Sequence, residues 1–150
     1  MMIEIPIGEW RGTARTWLEP GAAPAVNDFA ATTTRVLEGK TTLIGYRSHV
    51  KEHRSDGMMI VGTDIGTKRL SLTWVDTFHT GGNVMPFGAD EAGVLRGSFA
   101  AGEELWHWRI AITVSEDELR FDHTMIEPSG EETPAIEVIL RRESATAAIH

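Results

Sequence analysis

Residues 106–114 alternate between large apolar side chains and smaller or polar ones. Since a β-strand sends successive side chains to opposite faces, this alternation predicts a strand with one strongly apolar face. That face carries Trp106 and Trp108, which need a large concave surface to fill or to line. The opposite face carries His107 and Arg109. Which face points inward decides between an apolar pocket and an anion-binding one.

Segments of similar character follow one another along the chain, separated by turns rich in Gly, Pro and Asp. We predict strands at residues 9–18, 29–37, 41–53, 58–63, 70–78, 93–100, 106–114, 119–127 and 135–142. Residues 80–88 are predicted to be irregular, and no segment predicts an amphipathic helix of normal length. Such spacing favours an all-β fold, a single antiparallel up-and-down barrel of about ten strands, because closure removes exposed sheet edges.

Length and composition narrow the class of protein. The 150 residues predict a single domain, 1–150, with its core at about 8–142. The absence of cysteine excludes disulfides and cysteine-ligated metals, and the chain shows neither a signal-peptide pattern nor a long apolar span, so we expect a cytoplasmic protein. The net charge of −8 and the scattered basic residues argue against nucleic acid as a partner. We expect no membrane partner either.

Several short motifs carry a resemblance to a known family. They are the opening Gly8-Glu9-Trp10-Arg11-Gly12-Thr13, then Asp64-Ile65-Gly66, Trp74-Val75-Asp76-Thr77-Phe78-His79, Trp106-His107-Trp108-Arg109 and the closing Leu140-Arg141-Arg142. The opening is similar to the Gly-x-Trp-x-Gly of lipocalin-like and nitrobindin-like barrels. As an ordered set, the motifs resemble the bacterial domain of unknown function 1579 family over roughly residues 8–142. This resemblance implies one calycin-like barrel and no settled activity.

The nitrobindin-like relatives carry haem on a histidine in the terminal part of the barrel. Here residues 135–142 contain no histidine, and His123 lies one strand earlier. The chain departs from the haem-binding pattern at this point. We therefore predict no cofactor.

Arg109 and Asp76 are the charged residues whose position most needs an explanation. An arginine in a barrel lumen can bind a carboxylate or phosphate through its forked guanidinium, and Arg47 could assist it. Asp76 interrupts the apolar face that carries Trp74, where an unpaired charge would be costly. The alternatives are a structural ion pair, with Asp76 as the partner of Arg109, and an outward-facing Arg109 between its apolar neighbours.

The histidines allow both a chemical and a structural interpretation. His79, His107 and His123 could form an acid–base or metal group if the strands bring them together, or each could be a hydrogen-bonded core residue. His49 and His53 are four residues apart, but Glu52 does not follow the first of them as a zincin motif requires. We predict no metal site.

Three functions remain open for this barrel. The first, which we expect over an enzyme, is binding of a small apolar or carboxylate-bearing ligand. Its predicted site comprises Trp74, Asp76, Trp106, Trp108, Arg109, His123 and Arg47. The second is a small isomerase, cyclase or hydrolase with a titratable group of perturbed pKa in the lumen. The third is a structural module with a filled lumen. An outward-facing Trp17 would favour a homodimer.

Overall fold

The computed structural model describes residues 4–143, which form eleven β-strands and contain no helix. The strands are β1 (Gly8–Thr16), β2 (Ala25–Val36), β3 (Thr41–Val50), β4 (His53–Arg54), β5 (Gly57–Thr63), β6 (Leu70–Asp76), β7 (Met85–Ala89), β8 (Leu95–Ala101), β9 (Glu104–Val114), β10 (Glu118–Ile126) and β11 (Glu132–Arg142). With no helix in the described residues, none is long and apolar enough to cross a membrane.

Ten of the strands form one antiparallel sheet that closes on itself. Its order is β2-β1-β11-β10-β9-β8-β7-β6-β5-β3, and pairing of β2 with β3 completes the ring. The two-residue β4 pairs only with the end of β3. Closure pairs strands that would otherwise have free edges, which stabilises the sheet against association through them. The predicted all-β, calycin-like barrel of about ten strands is confirmed.

Alternation along each strand sends one set of side chains into the barrel. In β6, Leu70, Leu72, Trp74 and Asp76 are all buried while the residues between them are half-buried. In β9, Trp108 is buried on the same inward face as the half-buried Trp106. The tryptophan face therefore points inward.

Several strand predictions need correction: β2 begins at Ala25 rather than at residue 29, and the predicted strand 41–53 ends as β3 at Val50. Residues 80–88 were expected to be irregular, but they include most of β7, which pairs with β6 over four residues and with β8 over two. Only Met85 and Phe87 alternate inward there, so the periodic signal is too short to detect. The predicted strand 70–78 ends earlier, at Asp76, and residues 77–84 form a loop.

The two ends of the barrel differ. At the plugged end, the segment before β1 places Ile5 in the core, and Trp10 and Thr33 are fully buried beneath it. Gly12 permits close packing there, because a Cβ at this position would lie 1.9 Å from the carbonyl oxygen of Ile139. The opposite end, called the cavity end below, receives the β6–β7 loop at residues 77–84.

Candidate functional site

A group of polar and aromatic side chains lies inside the barrel towards the cavity end. This lumen cluster consists of Tyr46 on β3, Trp74 and Asp76 on β6, His79 in the loop after β6, Trp108 on β9 and His123 on β10. Strand register assembles one side of it, because Tyr46 pairs with Gly57 on β5 and Gly57 pairs with Asp76. Polar groups so deep in a core require partners, which makes their hydrogen bonds informative.

The carboxylate of Asp76 is the negative centre of the cluster. Its side chain is wholly buried. It accepts hydrogen bonds from the Tyr46 hydroxyl (3.2 Å), from His79 Nδ1 (3.0 Å) and from the backbone amide of Thr80 (2.7 Å). Burial alone would raise the pKa of Asp76, but the hydrogen bonds from His79 and Thr80 outweigh it and the pKa lies below its usual value. Asp76 is therefore ionised at neutral pH and acts only as an acceptor.

Tyr46 links Asp76 to the aromatic wall. Its hydroxyl accepts a hydrogen bond from Trp74 Nε1 at 2.8 Å while donating to Asp76. Burial, and then the negative charge of Asp76, raise the pKa of Tyr46 well above its usual value, so the phenol keeps its proton. Gly57 makes room for this contact, because a Cβ there would lie 2.3 Å from the Tyr46 ring and 2.7 Å from Asp76 Cβ.

His79 has one ring nitrogen engaged and one without a partner. Because ionised Asp76 cannot donate, Nδ1 of His79 carries the proton in their hydrogen bond. Nε2 is buried and has no hydrogen-bond partner among residues 4–143. Leaving a buried polar atom unpaired costs about 1–3 kcal/mol, so this nitrogen is a point where a ligand or a water would stabilise the protein.

His123 has the opposite proton arrangement. Trp108 Nε1, which can only donate, gives a hydrogen bond of 2.9 Å to His123 Nδ1. Neutral His123 therefore carries its proton on Nε2. Burial lowers the pKa of His123 to about 3, with a smaller contribution from His79, so the ring is neutral at pH 7.

The Trp74 ring lies beside both histidines. Its ring centroid lies 6.0 Å from that of His79 and 5.0 Å from that of His123. Both histidines line a cavity of about 20 Å³, together with Tyr46 and mainly apolar side chains. That volume holds about one water molecule. His49 and Ser55, at the end of β3 and after β4, also line it, which places the cavity towards the loops.

Family membership follows from a match over nearly the whole chain. The model of the family described as "Protein of unknown function (DUF1579)" matches residues 2–142. The chain belongs to the DUF1579 family. No curated protein matches this DUF1579 chain.

A solved structure agrees with the barrel fold. The structure of an S-type phycobiliprotein lyase, CPES, from Guillardia theta superposes with a TM-score of 0.54 at 12% identity, covering 93% of this DUF1579 chain and 89% of the lyase. At that identity the similarity shows the fold alone. The predicted resemblance to the family and to calycin-like barrels is confirmed.

Four of the predicted site residues of this DUF1579 barrel, Trp74, Asp76, Trp108 and His123, meet in the lumen cluster. Trp106 packs on Phe99 nearer the cavity end, with a centroid distance of 6.3 Å. Its buried Nε1 has no hydrogen-bond partner in the described part of the chain.

Both predicted arginines lie outside the lumen. Arg109 is on the outer face of β9, where it pairs with Glu132 at 2.5 Å, and Arg47 is exposed on the outer face of β3. The predicted ion pair between Arg109 and Asp76 is wrong. Alternate residues of a strand point to opposite faces, so Arg109 points outward next to the inward-facing Trp108, and Asp76 bonds to other groups. His107 is also exposed on β9, so the three-histidine group reduces to His79 and His123.

Sequence reasoning missed Tyr46 and Gly57. Tyr46 is in phase with the inward residues of β3, a signal that was available. Gly57 falls in the gap between the predicted strands 41–53 and 58–63, whereas it begins β5 and lies between Tyr46 and Asp76 in the sheet. Within residues 4–143, no group of three or more His, Asp or Glu side chains is placed to hold a metal ion.

Proposed function

We propose that this barrel binds a small, mainly apolar molecule in its lumen, with a neutral polar edge against His79 and His123. The observation that carries the proposal is the buried Nε2 of His79, which lacks a partner among the described residues and belongs to a side chain lining the cavity. Leaving this nitrogen unpaired costs about 1–3 kcal/mol. A ligand that donates a hydrogen bond to Nε2 recovers this free energy.

The proton positions of the two histidines define the polar edge of the ligand. His123 presents an Nε2–H donor, and His79 in its neutral form presents an Nε2 acceptor. A matching molecule carries an acceptor beside a donor, as in a lactam, a primary amide or a protonated acid. Phe29, Tyr46 and Phe121 line the same cavity and supply an aromatic surface for the rest of it.

Charge favours a neutral ligand over a carboxylate. Asp76 already places a negative charge in the lumen, and the buried polar residues of the described chain include neither lysine nor arginine. The carboxylate-bearing ligand expected from the sequence depended on Arg109 and Arg47, which lie outside. An anion near Asp76 would meet repulsion without compensation.

The size of the cavity sets a condition on binding. Its volume of about 20 Å³ holds one water, so a larger molecule must displace that water and move side chains at the cavity end. His79 lies in the loop 77–84 rather than on a strand, which makes this loop the element best placed to move. We expect ligand entry to be coupled to displacement of this loop.

Carbostyril, a bicyclic lactam with adjacent N–H and C=O groups, is a suitable probe. We expect isothermal titration calorimetry to show saturable binding, about tenfold tighter than that of N-methylcarbostyril, which lacks the donor for His79. His123→Phe should weaken binding, and His107→Gln on the outer face of β9 should not. Native mass spectrometry of protein from its own host should retain a small molecule. If neither carbostyril binding nor a retained molecule is seen, the proposal fails.

A further inference from the structure

The hydrogen bond between Asp76 and His79 is an arrangement that allows a histidine to act as a base. The Asp76 carboxylate accepts from Nδ1 at 3.0 Å and is itself held by the Thr80 amide, so the imidazole is fixed in orientation and tautomer. This leaves a lone pair on Nε2, buried and unpartnered within residues 4–143. A proton taken up there would be stabilised by the adjacent carboxylate.

His123 supplies a complementary group to the same cavity. Its Nδ1 is committed to Trp108, so the remaining nitrogen can only donate while the ring is neutral. A neutral imidazole that donates to a carbonyl oxygen stabilises the negative charge which develops when an adjacent carbon loses a proton. His79 and His123 therefore line one small cavity and are both packed on Trp74.

We propose that the lumen catalyses proton transfer at the carbon next to a carbonyl group, with His79 as the catalytic base and His123 as the hydrogen-bond donor to the carbonyl oxygen. This rests on the proposed ligand-binding function and names its substrate class as enolisable ketones or aldehydes. Asp76 is a positioning residue. Its role is to hold the tautomer of His79 and to stabilise the imidazolium.

The step balances without any further reactant. His79 Nε2 takes the proton, the C–H bonding pair forms the enolate C=C bond, and the carbonyl π pair moves onto the oxygen that His123 holds. The imidazolium then returns a proton to the same carbon, or to a conjugated one, and the base is regenerated. The first outcome is exchange and the second is isomerisation.

Within residues 4–143, no serine or threonine that lines the cavity is hydrogen-bonded to a histidine side chain, as nucleophilic catalysis would require. Ser48 lines the cavity, but its hydroxyl donates to the carbonyl oxygen of Asp28 at 2.6 Å. The hydrogen bonds of His79 and His123 in the described chain go to Asp76 and Trp108 instead. A serine activated by a histidine would need a direct hydrogen bond between the two.

The test uses β-tetralone, an aromatic ketone with acidic hydrogens next to its carbonyl. Proton NMR in deuterated buffer follows loss of those signals, and calorimetry measures binding of the same compound. We expect the wild-type protein to accelerate exchange above buffer, and His79→Gln to lower the protein-dependent rate at least a hundredfold while β-tetralone still binds. His107→Gln, on the outer face, should exchange as the wild type does.

Asp76→Asn is the second variant. Its readout is the tautomer of His79, which a role of Asp76 in packing alone would not change. The asparagine amide can donate to His79 Nδ1, which would shift the ring proton to Nε2 and remove the base. We expect nitrogen NMR to show this tautomer change together with a loss of exchange of at least tenfold.

The outcomes separate the two proposals. Binding of β-tetralone or carbostyril without accelerated exchange overturns the catalytic inference and leaves the binding function. Exchange that survives both His79→Gln and Asp76→Asn also overturns the inference. If neither compound binds, no exchange occurs and native mass spectrometry retains no small molecule, both proposals fail.

Discussion

Protonation of His123 should make the protein unusually sensitive to mild acid. The ring is buried and neutral, with a pKa of about 3 in the folded protein against 6.5 when unperturbed. Between these values the unfolded chain binds a proton that the folded chain does not. The free energy of unfolding therefore falls as pH falls through this window, and the stabilisation is fully present only above pH 6.5.

The magnitude follows from the size of the shift. Each pH unit inside the window costs about 1.4 kcal/mol, so lowering the pH from 7 to 5 should remove about 2 kcal/mol. The groups that face His123 are His79 and Asp76. The pKa of Asp76 is lowered, so its own contribution is lost below about pH 4 and lies outside the measured range.

Urea denaturation followed by tryptophan fluorescence at pH 7 and pH 5 measures this loss. His123→Gln keeps an acceptor for the Trp108 indole but does not titrate, and it should lose about 2 kcal/mol less than the wild type over the same range. His107→Gln removes an exposed histidine from the neighbouring strand and should behave as the wild type does. Equal losses in His123→Gln and the wild type would show that His123 is not buried as a neutral ring.

Three further substitutions test the packing around the site. Gly57→Ala places a methyl group 2.3 Å from the Tyr46 ring and should lower the free energy of unfolding by about 1–3 kcal/mol in urea, whereas Gly45→Ala, with open space around it, should not. Arg109→Ala removes a partly exposed outer ion pair, so it should cost at most about 1 kcal/mol and leave carbostyril binding unchanged in calorimetry. Thr33→Val should lower the thermal midpoint, because it unpairs buried groups worth about 1–3 kcal/mol at the plugged end.

The barrel could be predicted because its strands are long and their alternation is regular. A period of two over seven or more residues, as in β6 and β9, leaves little choice of secondary structure, although for β9 the sequence alone leaves the inward face open. Where the periodic signal is short, the sequence does not reveal the strand. β7 has only Met85 and Phe87 facing inward, with Pro86 between them, and its pairing with β6 depends on the rest of the sheet.

The lumen cluster could be predicted only in part, for a related reason. Trp74 and Asp76 share a face because they are two residues apart, so their common burial can be read from the sequence. Tyr46 meets Asp76 across β5, and that contact depends on register and on the missing side chain of Gly57. His79 lies after the strand ends, where loop hydrogen bonds rather than periodicity set its direction.

The two ends of the barrel bury tryptophans in different ways, and this difference supports the proposed position of the binding site. At the plugged end, the Thr33 hydroxyl accepts from Trp10 Nε1 at 3.1 Å and donates to the carbonyl oxygen of Pro6 at 2.7 Å, so the indole is fully satisfied. At the cavity end, the described residues leave His79 Nε2 and Trp106 Nε1 buried without partners. A fold that satisfies one buried indole with a single threonine can satisfy others. The unpaired atoms at the cavity end therefore support the proposed ligand-binding function over packing alone.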